Sequence, residues 1–201
     1  LEADVGNDAG MDRAFAKLAG AWPALDFLVH AIAYSDRAEL SGRFIETSRA
    51  NFEKSLTISC YSLIDVARRV QPMMTGGGSI VTLTYQGSTR VTPYYNVMGV
   101  AKAALESSVR YLANDLGPEN IRVNAISPGP VRTLSGAVIG GARDSFRYSE
   151  RNAPLRRNPT LEAIGGTALY LVSDAGACTT GEIITVDGGI HILGMPQPGN
   201  I

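Results

Sequence analysis

Apolar residues along this chain gather into short β-rich runs separated by longer stretches at helical spacing. That alternation predicts an α/β domain with a mostly parallel sheet. Met11, Ala14, Phe15, Leu18 and Ala19 follow Asp8 at three- and four-residue intervals, which predicts a helix with Asp8 as its N-cap. LDFLVHAIA at 25–33 is continuously apolar apart from Asp26 and His30, the pattern of a strand covered on both faces. From about Arg49 to Met74 a long helix is expected, turning Phe52, Leu56, Tyr61, Leu63, Ile64 and Ala67 toward the core, with Gly76, Gly77 and Gly78 breaking it. SIVTLTY at 79–85 reads as a second buried strand, and residues 95–117 as a helix stopped by Gly117. IRVNAIS at 121–127 is a third strand, ended by the PGP at 128–130. Val131 to Ser145 lacks periodicity and is expected to be a mobile loop with one short helix. A helix from about Thr160 to Ser173, a strand within 182–189 and a poorly ordered tail complete the pattern. The domain is set at 1–195 and the flexible tail at 196–201. In a parallel sheet, ligands sit beyond the carboxyl ends of the strands, so 31–40, 84–95 and 128–145 are the segments to search for function.

Composition narrows the class. With 201 residues, 45% apolar and 18% charged, the chain can bury a sizeable core and is not disordered. The net charge of −1, without a run of Lys and Arg, gives no sign of a nucleic-acid partner. Cys60 and Cys178 lack metal-ligand spacing and fit reduced thiols of a cytoplasmic protein. No apolar run approaches the ~18 residues that span a bilayer, and the acidic first residues do not read as a signal peptide.

The segment that carries chemistry is TLTYQGSTRVTPYYNVMGVAKAALE at 82–106. Tyr95 and Lys102 lie seven residues, about two helical turns, apart and share one face. A phenol there can donate to a carbonyl oxygen that gains charge. An ammonium beside it can hold sugar hydroxyls and lower the phenol's pKa. Spacing alone favours the plainer alternative, a core tyrosine and a solvated lysine. His30 and His191 have no partner at catalytic spacing, so each is expected to be a packed or surface histidine. Neither a Ser-His-Asp arrangement nor a metal cluster is evident.

YNVMGVAK at 95–102, with Tyr85 ten residues before Tyr95, resembles the active-site motif of the NADH-dependent enoyl-[acyl-carrier-protein] reductases, a branch of the short-chain dehydrogenase/reductase superfamily. That superfamily normally has Tyr-x3-Lys, and here the fourth residue after Tyr95 is Gly99. LDFLVHAIA (25–33), IRVNAISPGPVRTL (121–134), APLRR (153–157) and TGEIITVDGG (180–189) extend the resemblance over nearly the whole chain. It implies a Rossmann-type fold, NADH as cofactor, an acyl-carrier-protein thioester as substrate, a role in fatty-acid synthesis and a cytoplasmic homotetramer, associating through the helices at 49–74 and 95–116.

The same resemblance implies roles. Tyr95 would hydrogen-bond the thioester carbonyl of a trans-2-enoyl chain and stabilise the enolate, Lys102 would bind the nicotinamide ribose, and Tyr85 would line the substrate site and assist. Met98 and Phe146 would touch substrate. Val131 and Thr133 would hold the nicotinamide carboxamide and phosphate side, with 134–145 as a lid longer than is usual in the family. Ala31, Ile32 and Ala33 would let backbone approach the adenosine half, Ala33 standing where many relatives have Gly. Leu40 would cap the adenine pocket, and Asp4 and Val5 would contact adenine from the end of a preceding strand.

The Gly-rich turn between a strand and a helix that grips pyrophosphate in this fold does not occur in the sequence; GGG at 76–78 precedes a strand. With Leu1 in place of an initiator Met, the expectation is a fragment or partial gene product of a longer enzyme. Roughly 60 residues and the N-terminal strands would then be missing, leaving the strand at 25–31 as an exposed edge. Two rivals stand beside the enoyl reductase: a 3-oxoacyl thioester reductase of the same superfamily, and a non-catalytic truncated paralogue.

Overall fold

The computed structural model describes residues 1–132, 141–196 and 199. Its sheet has four parallel strands in the order β1 (Phe27–His30), β2 (Gly78–Leu83), β3 (Ile121–Pro128), β4 (Ile183–Val186). Helices connect them: α1 (Asp8–Ala21) precedes β1; α2 (Arg37–Leu40), α3 (Arg49–Leu56) and α4 (Ser62–Val70) link β1 to β2; α5 (Asn96–Leu116) links β2 to β3; α6 (Ala142–Asn152) and α7 (Leu161–Val172) lie between β3 and β4.

Period-two alternation sorts the strand side chains to two faces. Ile80, Val123 and Ala125 pack with Met11 of α1, Leu63, Val66 and Val70 of α4, and Leu105 and Val109 of α5. Val81 and Ile126 pack with Leu171 of α7 on the opposite face. β2 and β3 are therefore buried on both sides, as their continuous apolar runs predict.

β1 is not. Phe27 is 51% and Val29 47% exposed, while Leu28 meets the α1–α4–α5 core and His30 is buried. α7 packs on β2, β3 and β4, so one face of this edge strand stays open. Three further expectations change. Asn7, not Asp8, caps α1, its side chain accepting from the Gly10 N–H at 3.0 Å. The helix from Arg49 is continuous but contains a π-helical turn, Thr57–Tyr61, which rotates Phe52, Tyr61 and Ile64 outward to 37–48% exposure and leaves Leu63 and Ala67 inside. The segment expected as a loop to Ser145 leads into the eleven-residue helix α6. Its predominantly polar sequence, ARDSFRYSERN, carries few apolar residues to mark a buried stripe.

Candidate active site

The parallel strands bring the ends of β1, β2 and β3 to one edge of the sheet, and the residues of interest collect there. Leu83, Thr84 and Tyr85 leave β2 in succession and each touches α5. The Leu83 carbonyl accepts from Lys102 Nζ at 2.7 Å. The Thr84 hydroxyl donates to Glu106 Oε1 at 2.7 Å. The Tyr85 ring meets the Tyr95 ring edge-on, with centroids 5.0 Å apart and planes at 63°.

Tyr95 sits at the N-cap of α5 and is 6% exposed. Its neighbours Tyr94 and Asn96 have φ of 60° and 36°, conformations that cost a non-glycine residue of order 1–3 kcal/mol. Local contacts hold this turn in place. Asn96 Nδ2 donates to the carbonyls of Glu39 and Gly42, each at 2.9 Å. Tyr95 also packs with Leu40, Val97 and Met98 in a small cluster bordered by Leu56 and Tyr85. Leu40, expected over adenine, is thus buried against Tyr95. Met98 Sδ accepts from Ser59 Oγ at 3.7 Å, and Ser59 also bonds both backbone groups of Tyr34, at 2.9 and 3.0 Å. The π-helical turn that carries Ser59 so ties the loop after β1 to α5, a placement common for such turns near functional sites.

Gly99 has a steric reason. A Cβ there would lie 2.7 Å from the Gly87 carbonyl oxygen, and a Cβ on Gly87 would lie 2.5 Å from the Tyr95 ring. The loop after β2 closes onto α5 at this point, so no side chain, lysine included, fits four residues after Tyr95. Lysine stands a turn further along, at 102.

Electrostatics follow burial. Tyr95 is pushed well above the usual phenol range, first by burial and then by Tyr85. Tyr85 is raised by burial, partly offset by Gln86. The expected lowering of the Tyr95 pKa by Lys102 is therefore not what this geometry produces: the ammonium is bonded to Leu83, and the phenol stays protonated as a hydrogen-bond donor. Burial lowers Lys102 to about 8, while Cys60 and Glu106 keep it from falling further. His30, behind Lys102, is lowered to about 4 by burial and then by the Lys102 charge. Its Nδ1 lies 3.0 Å from Thr82 Oγ1 and its Nε2 2.8 Å from Ser62 Oγ, so it is a packed, hydrogen-bonded histidine. His191 does have a partner, with Nδ1 3.0 Å from both carboxylate oxygens of Asp187 one turn earlier.

The remaining candidates are more scattered. Ala31, Ile32 and Ala33 are exposed just past β1. Val131 is half-buried just past β3, and Thr133 lies outside the described residues. Phe146, in α6, is half-buried under the Arg132 guanidinium at 4.6 Å. Asp4 is exposed and Val5 half-buried in a turn before α1, where Asp4 Oδ1 accepts from the Gly6 N–H at 2.8 Å; they end no strand. Two residues that the sequence reading passes over, Thr84 and Glu106, prove integral to the cluster. Glu106 at one turn past Lys102 is the signal that could have found it.

A parallel sheet with helices on both faces, and a buried tyrosine and lysine at the carboxyl ends of its strands, define a Rossmann-type oxidoreductase. The family model described as "Enoyl-(Acyl carrier protein) reductase" matches residues 1–191. An enoyl-[acyl-carrier-protein] reductase [NADH] of Rickettsia bellii is 53% identical over 96% of this chain and 74% of its own length; one from Rhizobium meliloti is 53% identical over 96% and 71%. The solved structure of the Anaplasma phagocytophilum enzyme in complex with NAD superposes with a TM-score of 0.94, at 53% identity, covering 98% of this chain and 75% of that one. The Bacillus cereus enzyme, solved with NADP+ and an indole naphthyridinone, gives 0.95 at 49% identity, covering 97% and 76%. The chain belongs to the enoyl-[acyl-carrier-protein] reductase family.

Proposed function

We propose that this chain acts as an NADH-dependent enoyl reductase of fatty-acid synthesis, which saturates the trans-2 double bond of an acyl-carrier-protein thioester. The observation that carries the reading is the arrangement past β2, where the buried Tyr95 packs on Tyr85, the buried Lys102 bonds the Leu83 carbonyl, and the Gly87–Gly99 contact closes the loop onto α5. That contact disfavours the 3-oxoacyl rival, whose superfamily pattern puts lysine where no Cβ fits.

The residues fit a nicotinamide cofactor on its ribose side. Lys102 offers a buried ammonium at the edge of the sheet, and the small, exposed Ala31 and Ala33 let backbone come close to a ligand past β1. When bound, the cofactor would supply the hydride. Lys102 would take the ribose hydroxyls; Ile32, Ala33, Asp4 and Val5 would face the adenosine half; Val131 and Thr133 would face the nicotinamide. Tyr95, kept protonated by burial, would donate to the thioester oxygen as it gains negative charge, a contribution of ~3–4 kcal/mol for one such donor. Tyr85 packs edge-on against the ring of Tyr95 and would line the substrate site beside it, and Met98 and Phe146 would border the acyl chain. Association into a homotetramer is supported by the exposed Phe52, Ile64, Val100 and Tyr111 on the helices from Arg49 to Leu116. Both cysteines are free, which supports the cytoplasmic setting that the reductase reading implies; among the described residues no helix is long and apolar enough to cross a membrane.

The test is NADH oxidation by the purified chain with a trans-2-enoyl thioester in one cuvette and a 3-oxoacyl thioester in another. Turnover with the enoyl substrate alone is the expected result. Turnover only with the 3-oxoacyl substrate, or with neither, overturns it.

A further inference from the structure

Lys102 and Glu106 are one turn apart on the same face of α5, and both are buried, at 5% and 8% exposure. Neither can stay there as an isolated ion, because a buried charge without compensation is either costly or neutralised. Consecutive residues at the end of β2 engage them in register: the Leu83 carbonyl receives Lys102 Nζ, and the Thr84 hydroxyl reaches the Glu106 carboxylate, both at 2.7 Å. The Thr84 N–H in turn donates to the Ile126 carbonyl of β3 at 2.9 Å, so the anchor is fixed to the sheet itself. The next residue is Tyr85, against Tyr95.

We propose, building on the reductase reading above, that Glu106, gripped by Thr84, is the positioning residue for Lys102: a buried counter-charge that holds the ammonium where ribose hydroxyls are taken and locks the end of β2 against α5. The other groups facing Lys102 cannot do this work. His30, from β1, is neutral above about pH 4 and, if charged, would repel it. Cys60 is the first of the two groups that favour the ammonium, but it comes from the π-helical turn and pairs with Ser108 at 3.6 Å, whereas Glu106 shares the helix face of Lys102 and is fixed to the end of β2 through Thr84. Tyr85 and Tyr95 are raised and uncharged. Burial brings Lys102 down to about 8 even with Cys60 and Glu106 opposing it, so losing the carboxylate would leave the ammonium only partly formed at physiological pH.

The chain contains only three lysines, Lys17, Lys54 and Lys102, which makes the charge directly observable. In protein labelled with 13Cε-lysine, the resonance lost in Lys102→Arg is followed against pH by NMR. The wild-type signal is expected to titrate near pH 8. Glu106→Gln, close to isosteric and checked for folding by circular dichroism, is expected to move it down by about one unit. It should also raise the KM for NADH several-fold at pH 8 with little change in kcat. Glu106→Asp, which keeps the charge, should restore the titration toward the wild-type position. An unmoved titration in Glu106→Gln overturns the proposal, as does a larger shift in Cys60→Ala. Should Glu106→Gln not fold, Thr84→Val takes its place: a downward shift of about half a unit is expected from loss of the anchor, and no shift overturns the proposal. The NMR arm uses neither cofactor nor substrate. A shift without NADH turnover would therefore leave this assignment standing while the catalytic reading fails.

Discussion

The ends of β1 and β2 lie side by side at the same edge of the sheet, yet they are built differently. Past β2, three successive residues are each bonded or packed to α5, the backbone on either side of Tyr95 is strained and is pinned through Asn96, and Tyr95 and Lys102 are almost fully buried. Past β1, Ala31, Ile32 and Ala33 are exposed, and Phe27 and Val29 on the strand itself are half open. The two meet at His30, the one buried residue of β1, which hydrogen-bonds across to β2 and α4. The difference teaches that the residues proposed for the chemistry are preorganised by contacts within the chain, whereas the surface proposed for the adenosine half is left accessible.

Substitutions on the two sides should separate them. The largest effect belongs to Tyr95→Phe, which removes the donor and keeps the ring packing on Tyr85. Turnover with the enoyl thioester should fall about 100- to 1000-fold while the melting temperature holds; a drop below tenfold would remove Tyr95 from the chemistry. His30 comes next. The folded chain keeps it neutral down to about pH 4, whereas the unfolded chain protonates it from about 6.5. Its contribution is complete above pH 6.5 and is lost as pH falls toward 4, by about 3 kcal/mol in all. Urea unfolding at pH 7 and pH 4.5 should show that slope, and a His30→Asn protein should lose most of it. Gly99→Ala forces a Cβ onto the Gly87 carbonyl and should cost about 1–3 kcal/mol of stability, read as a lower denaturation midpoint, together with lost activity. At the open end, Ala33→Gly should change stability by no more than about 0.5 kcal/mol. A cost as large as that of Gly99→Ala would mean that the two strand ends are equally constrained.

Much of this was legible in the residues. Strands buried on both faces announce themselves as unbroken apolar runs, and β2 and β3 fall where IVTL and IRVNAIS place them. β1 carries the same kind of run, but its burial depends on what covers it, and α7 does not extend over Phe27 and Val29. The helix from Arg49 was readable as a helix, but its inner face was not. The π-helical turn shifts the phase of the 3.6-residue period, so Tyr61 and Ile64 turn outward where a regular helix would bury them. α6 was expected only as one short helix inside a loop ending at Ser145, and its reach to Asn152 was not legible because its buried residues, Ser149 and Asn152, are polar.

For the site, spacing predicted Tyr95 and Lys102 on one helix face, whereas the structure sets Tyr95 at the N-cap just before α5 and Lys102 within it; motif resemblance pointed to their chemistry. What spacing could not supply was the partner on the other side. Leu83, Thr84 and Gly87 come from a different element, and only the docking of the β2 end onto α5 decided that Lys102 bonds a carbonyl, that Glu106 is buried behind it, and that position 99 has no room for a side chain. A sequence records which residues recur along one element. Burial, pKa and steric closure arise from pairs of elements, and those pairs exist only once the chain has folded.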